Sequence, residues 1–303
     1  MTVIDIRGLR KSYAGRAVVH DVEFSVAEGE IFGILGPNGA GKSTSVECLT
    51  GLRERDGGAV TVLGLDPARD RQAVREQVGV QLQESRLPDK ITVAEAMRLY
   101  SSFYPNPVDW RDLVDRLGLG DKVNSRFGKL SGGQKQRLSV ALALVGRPKV
   151  AVLDELTTGL DPQARRDTWG LIESIRDSGV TLLIVTHFMD EAERLCDRLA
   201  VIDAGQTVAI DTAAGLVRRS GLPHRIRFRP VGARVEDVVA QLPTVSEVER
   251  RGEHLVVVGG EDSLTEIYEA LHARGVRVTD LRVNQPGLDD AFVELTGADR
   301  AAA

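Results

Sequence analysis

The amino-acid sequence predicts an α/β protein: a mostly parallel sheet with helical cover and a helical insert, followed by a small α+β domain. Three observations lead there. Short apolar runs alternate with helical stretches over the first two thirds of the chain, the pattern of parallel strands joined by crossover helices. A glycine cluster joins one such run, Ile31 to Leu35, directly to a helix near Lys42. Beyond Gly215 a basic, proline-containing junction, LVRRSGLPHRIRFRP, resets the alternation. The 303 residues accordingly divide into domains at 1–220 and 221–297, with a disordered tail over 298–303.

In chain order, Val3 to Ile6 and Val22 to Val26 read as strands, and IFGIL at 31–35 is apolar without alternation, as a buried central strand is. The helix from Lys42 stops near Gly51. Val60 to Leu63 and Val78 to Leu82 are strands flanking a charged helix, Asp70 to Gln77. From Thr92 the runs AEAMRLYSSFY and DWRDLVDRLGL carry apolar residues three and four apart, so about 90–145 is a helical subdomain. Strands return at Val150 to Glu155, Thr181 to His187 and Arg198 to Gly205, and the intervening helix, Pro162 to Ser178, turns Trp169, Leu171, Ile172 and Ile175 inward.

In the last domain, strand Arg225 to Arg229, helix Ala233 to Leu242 and strand Val245 to Arg250 come first. Strand His254 to Val258, helix Leu264 to Arg274 and strand Val276 to Val283 follow, with a short helix from Leu288. That order suits a ferredoxin-like unit.

Composition narrows the function. Lys plus Arg number 39 against 44 Asp plus Glu, a net charge of −5, which argues against a general nucleic-acid binder. The hydrophobic content of 42% excludes wholesale disorder, and 31 glycines without a three-residue period exclude collagen. Cys48 and Cys196 lie far apart and no secretory leader is visible, so a reducing, cytosolic setting is expected. No stretch approaches the roughly 18 to 20 apolar residues of a membrane helix. Any membrane role must pass through another subunit.

GPNGAGKST, Gly36 to Thr44, fits a phosphate-binding loop: its glycines let backbone N–H groups curl toward phosphates, and the following helix points its positive end there. Lys42 should reach the β- and γ-phosphates and Ser43 should hold Mg²⁺. The bland alternative, a glycine turn before a helix, does not require the apolar strand that precedes it. Asp154 and Glu155 end an apolar strand at the edge where open α/β sheets bind ligands, so Asp154 suits the Mg²⁺ shell and Glu155 the polarisation of water. Taken alone, the pair would pass for a solvated acidic turn. In KLSGGQKQRLSVALAL the glycines open a helix near Gln134, with Ser131 as cap, and offer a second anion site that makes sense if two chains complete each other's pocket. His187 follows the strand TLLIV at the same edge as Asp154 and is placed to sense a γ-phosphate; a plain surface histidine is the alternative.

Together these motifs resemble the ATPase subunit of ATP-binding cassette (ABC) transporters, and within it the bacterial drug and antibiotic export branch that includes daunorubicin-resistance-type ATPases. The resemblance covers about Val3 to Gly215 and more loosely reaches Thr296, where the chain reads LDDAFVELTG. It implies an ABC-type P-loop fold whose mostly parallel core sheet is extended by antiparallel strands. Gly36, Pro37, Asn38, Gly39, Ala40, Gly41, Lys42, Ser43 and Thr44 become the Walker A loop and Val150 to Asp154 the Walker B strand. Glu155 becomes the catalytic base and His187 the switch histidine. Leu130, Ser131, Gly132, Gly133 and Gln134 form the signature that contacts ATP across a dimer, and Gly159, Leu160 and Asp161 the D-loop. By resemblance only, Tyr13 stacks on adenine and Gln83, rather than the nearby Gln81, joins Ser43 and Asp154 at Mg²⁺.

The implied partners are ATP, Mg²⁺, a second copy of the chain and a separately encoded permease gripped around Gln83 to Tyr104, which places the protein on the cytoplasmic face of the membrane. A soluble ATPase acting on nucleic acid or ribosomes, or an ATP-binding switch with weak turnover, are the competing readings. Leu156 stands where the family has proline, which suggests a looser turn after Glu155.

Overall fold

The computed structural model describes residues 1–82, 87–231 and 234–297. A hairpin opens the chain, β1 (Thr2–Tyr13) and β2 (Arg16–Ala27), longer than the two short strands that the sequence predicts. Its core is supplied by alternating Ile4, Ile6, Val22, Phe24 and Val26, while the intervening polar residues hide the strand ends from a reading based on apolar runs. There follow β3 (Ile31–Leu35), α1 (Lys42–Leu49), β4 (Gly57–Val62), α2 (Arg71–Gln77), β5 (Val78–Gln81), α3 (Val93–Ser101), α4 (Trp110–Arg116), α5 (Gly132–Leu144) and β6 (Val150–Asp154). Then come α6 (Pro162–Asp177), β7 (Thr181–Val185), α7 (Met189–Leu195), β8 (Arg198–Asp203), β9 (Gln206–Asp211) and α8 (Ala213–Ser220). The sequence reading does not anticipate α7, β9 or α8.

The chain divides into two compact units, Met1–Ala213 and Ala214–Ala303. In the first, nine strands form one sheet in the order β4-β1-β2-β9-β8-β3-β7-β6-β5. β8, β3, β7, β6 and β5 run parallel, while β4, β1, β2 and the β8–β9 pair supply the antiparallel part.

The central strands β3, β6 and β7 are buried along their whole length. Alternate residues feed different cores. Ile31, Ala151, Leu153, Leu182 and Ile184 join α3 to α6, whereas Phe32, Ile34, Val150, Val152, Leu183 and Val185 join α1 and the opening hairpin. Burial on both faces explains the unbroken apolar runs, each such side chain contributing about 1.5–3 kcal/mol. It also leaves polar groups only one place to gather, the loops beyond the strand ends.

In the second unit, β10 (His224–Val231), α9 (Glu236–Ala240), β11 (Val245–Arg251), β12 (His254–Gly259), α10 (Ser263–His272), β13 (Arg277–Asn284) and α11 (Leu288–Thr296) follow in order. The sheet runs β11-β12-β10-β13 and is antiparallel throughout. With one helix after the first strand and another after the third, this is the split β-α-β arrangement of a ferredoxin-like unit. Ile226, Phe228, Leu255 and Val257 meet Val239 of α9 and Ile267 and Leu271 of α10 in its core.

Candidate functional site

Adjacent strands β3, β7 and β6 end side by side, and the segments that leave them carry the Gly36 to Thr44 loop, His187, and Asp154 with Glu155. The loop needs glycine at two places. A Cβ on Gly36 would lie 2.2 Å from the Ile202 carbonyl oxygen, and Gly41, at φ 97°, would put one 3.0 Å from that of Val18. Gly41 caps α1, so the helix N-terminus opens directly onto the loop. Lys42 is buried, and its Nζ donates to the Gly36 carbonyl at 2.6 Å and the Pro37 carbonyl at 3.0 Å. Burial pushes its pKa down, opposed by Glu155 and Asp154. Ser43 lies exposed on the first turn of α1.

Asp154 is only 4% exposed, and its carboxyl is pushed up to about 6 by burial first and by the neighbouring Glu155 second. Its backbone N–H donates to Gln81 Oε1 at 3.2 Å, while Gln81 Nε2 donates to the Leu82 carbonyl. Gln81 therefore ties β5 to the acidic strand end. The sequence reading passes it over in favour of Gln83, which lies outside the described residues. Glu155 sits at φ 50°, a left-handed conformation uncommon for a non-glycine residue, and its N–H donates to the Val185 carbonyl at 2.9 Å. Its Oε1 is 3.4 Å from His187 Nδ1. Leu156 is fully buried in the core beneath α3 to α6, so packing holds the turn that the sequence suggests is loose for want of proline.

Ser131 caps α5 by accepting the Gln134 N–H, and Gln134 accepts the Ser131 N–H in return. Leu130 is buried, and the glycines abut the next segment: a Cβ on Gly132 would lie 3.7 Å from Leu160 Cδ2, and one on Gly133 3.8 Å from Ala164. Gly159 takes φ 77°, and Asp161 caps α6 by accepting the N–H groups of Gln163 and Ala164. At the end of β1, Tyr13 is exposed, with the Arg53 guanidinium 5.0 Å from its ring centroid. Asp56 secures the same strand end by taking Lys11 Nζ and the Ser12 N–H, each at 2.7 Å, and Glu47 pairs with Arg53. Sequence reasoning misses Arg53 and Asp56 because nothing in LRERDGG marks them as neighbours of Tyr13.

A phosphate loop at a helix N-terminus, beside a strand ending in two acids, defines a nucleotide triphosphatase of the P-loop class. Residues 19–158 match the family model described as "ABC transporter". Over 99% of this chain and 95% of its own length, the Nod factor export ATP-binding protein I of Rhizobium etli is 36% identical. A daunorubicin resistance ATP-binding protein of Streptomyces coeruleorubidus is 35% identical over 95% of this chain and 93% of its own. A solved ATP-binding subunit of an ABC transporter superposes with a TM-score of 0.66 at 27% identity, covering 79% of this chain and 98% of that one. An ATP-bound bacterial Atm1-family ABC exporter gives 0.65 at 25%, over 72% of this chain and 40% of its own. The chain belongs to the ABC transporter family, as an ATP-hydrolysing ATP-binding subunit.

Most of the relatives compared are Nod factor export proteins and one is named for daunorubicin resistance, the branch that the motifs resemble; what they share with this chain is membership of the family. ATP and Mg²⁺ binding go with the family in general. The residues present fit the cation: Asp154 is a buried carboxyl that burial penalises when ionised, and a divalent ion would relieve that penalty. Mg²⁺ is ordinarily held by one or two carboxylates with substrate phosphates, so a full protein cage is not required. Among the described residues no helix is long and apolar enough to cross a membrane.

Proposed function

We propose that this chain powers export by an ABC transporter, moving a drug, antibiotic or other hydrophobic compound through a separately encoded permease. The observation that carries the reading is the Glu155–His187 contact beside Asp154 and the Lys42 loop: a base, its orienting partner and the phosphate-binding cation meet at one sheet edge. Glu155 orients the attacking water and His187 senses the γ-phosphate, while Lys42 stabilises charge on the transferring phosphoryl group. Ser43, Asp154 and Gln83 would hold Mg²⁺, which supplies further charge neutralisation when bound. Tyr13 carries the base of the nucleotide.

Two copies pair head to tail, so that Ser131 to Gln134 of one present the exposed N-terminus of α5 to the nucleotide of the other, and Gly159 to Asp161 line the seam. The permease docks in a cleft of about 820 Å³ where Leu52 and Phe103 are exposed beside Tyr100 and Tyr104, which keeps the chain peripheral on the cytoplasmic face. The relatives named for Nod factor export and for daunorubicin resistance both support export. The domain over 221–297 is accessory to this chemistry.

The test is a contrast between two variants in the assembled complex, with ATP turnover, nucleotide retention and dimer population measured. Lys42→Ala should lose turnover and nucleotide together. Glu155→Gln should lose turnover by about 10²-fold or more while retaining ATP in closed dimers. Unchanged hydrolysis in both variants sinks the assignment.

A further inference from the structure

The short helix α7 begins two residues after His187, and its first turn carries two acids of opposite fate. Asp190 is exposed, whereas Glu191 is wholly buried. An acid in the first turn favours the helix dipole from a solvated position, so the dipole gives no reason to bury the second one. Burial without full pairing is costly for a polar group and more so for a charged one, which sets a demand that some local role must meet.

The surroundings of Glu191 supply one. Trp169 Nε1, on α6, donates to Glu191 Oε1 at 3.3 Å. Burial raises the pKa of this carboxyl, and the hydroxyls of Thr186 and Thr157 in its neighbourhood oppose that rise. Both threonines are buried. Thr157 is two residues after Glu155, and Thr186 directly precedes His187. Arg165, also on α6, reaches Asp190 at 3.2 Å and lays its guanidinium 4.0 Å from the Phe188 ring centroid, and that ring lies 4.1 Å from the His187 ring. Glu191 Oε2, Thr157 Oγ1 and Arg165 Nε each make no hydrogen bond, so an acceptor and two donors in one buried neighbourhood can satisfy one another after a small shift.

We propose that Glu191 is a positioning residue whose carboxyl braces Thr157 and Thr186 together, holding Glu155 and His187 in register for hydrolysis. This rests on the reading of Glu155 and His187 given above. The brace acts on the segment behind each residue and touches no substrate. It makes the separation of Glu155 and His187 depend on where α6 and α7 sit, because Trp169 and Arg165 anchor the carboxyl and its helix to α6. A misplacement of about 1 Å at a reacting group can cost about 10²-fold in rate, so a loosened brace should appear in kcat.

The experiment measures kcat, ATP Kd and thermal melting in the full chain, in its transport complex, for Glu191→Ala, Glu191→Gln, Thr157→Val, the Glu191→Ala/Thr157→Val double variant, and Glu155→Gln as reference. Glu191→Ala should lower kcat about tenfold or more with ATP Kd within about twofold, and Glu191→Gln, which keeps an acceptor for Trp169, should restore most of it. Thr157→Val should lower kcat with Kd unchanged, and the double variant should be no slower than Glu191→Ala alone, since both remove one brace. Where Glu191→Ala fails to fold, Thr157→Val and Glu191→Gln decide by the same kcat-against-Kd split. Loss of turnover in Glu155→Gln but full turnover in Glu191→Ala and Thr157→Val overturns the brace alone. Full turnover in Glu155→Gln overturns the brace together with the site on which it rests. A fall of kcat, affinity and melting temperature in proportion marks a merely structural acid and also overturns it.

Discussion

The two units of the chain cover their sheets in opposite ways. In the first, β3, β6 and β7 are buried on both faces, and the polar side chains they admit, Thr181 and Asp154, stand at a strand's first and last position. In the second, β10 alternates: Ile226 and Phe228 face the helices, while Arg225, Arg227 and Arg229 face solvent. The open face pairs its polar side chains with neighbours, Arg229 with Glu253 at 3.1 Å and the His254 ring with the Asp280 carboxylate at 2.6 Å. A sheet buried on both faces concentrates chemistry at its edge and pays for it with desolvated acids. A sheet buried on one face disperses charge, and each pair is worth little.

Substitutions in the two units should expose that difference, and the largest effect is expected at Leu156. Truncating this fully buried side chain in Leu156→Ala should cost about 2–5 kcal/mol in chemical denaturation. Leu156→Pro should also lose stability, because it removes the same packing and restricts Glu155, which sits at φ 50°. A proline variant that gains both stability and turnover would show that the turn is loose after all.

A smaller change of opposite sign is expected at Asp154. Its folded pKa, about 6, lies above the ordinary value, so folding favours the protonated form and stability is lost as pH rises through about 6. Asp154→Asn should therefore stabilise the nucleotide-free chain by on the order of 2 kcal/mol at pH 7.5. The gain should shrink toward pH 4, below which the wild-type carboxyl is protonated in both states. Melting temperatures of the two forms across that window test this, and a gap that widens on acidification contradicts it.

The least effect is expected on the open sheet. Arg229→Ala should cost under about 1 kcal/mol, as exposed ion pairs do, and leave ATP affinity unchanged. A loss comparable to that of Leu156→Ala would mean that the second unit depends on its surface charges as the first depends on its core.

The same contrast decides what the sequence could disclose. IFGIL, VAVLD and TLLIV are legible because burial on both faces confines polar residues to their ends, and Gly36 to Thr44, Glu155 and His187 are legible because they follow such runs directly. The alternating elements of the second unit were readable by period alone. Element β9, QTVAID, escapes because it is half exposed and follows a turn that resembles a strand end, and α7 escapes because seven residues are too few to show a helical period. Glu191 stayed hidden for a related reason. Among Asp190, Glu191 and Glu193 nothing in the sequence separates the buried acid from its solvated neighbours; the selection is made by Trp169 and Thr157, which only the fold brings near.

The hydrogen bonds of Lys42 to Gly36 and Pro37 carry a consequence for which ligands the loop accepts. Any anion that recruits the ammonium must compete with two uncharged oxygens belonging to the loop itself. Bonds between two ionised partners are the stronger kind, so a polyphosphate gains from the exchange, whereas a ligand with little charge gains almost nothing. The carbonyls thereby act as a threshold on anionic charge: a nucleoside leaves the lysine where it is, and discrimination among nucleotides begins before the base has been read.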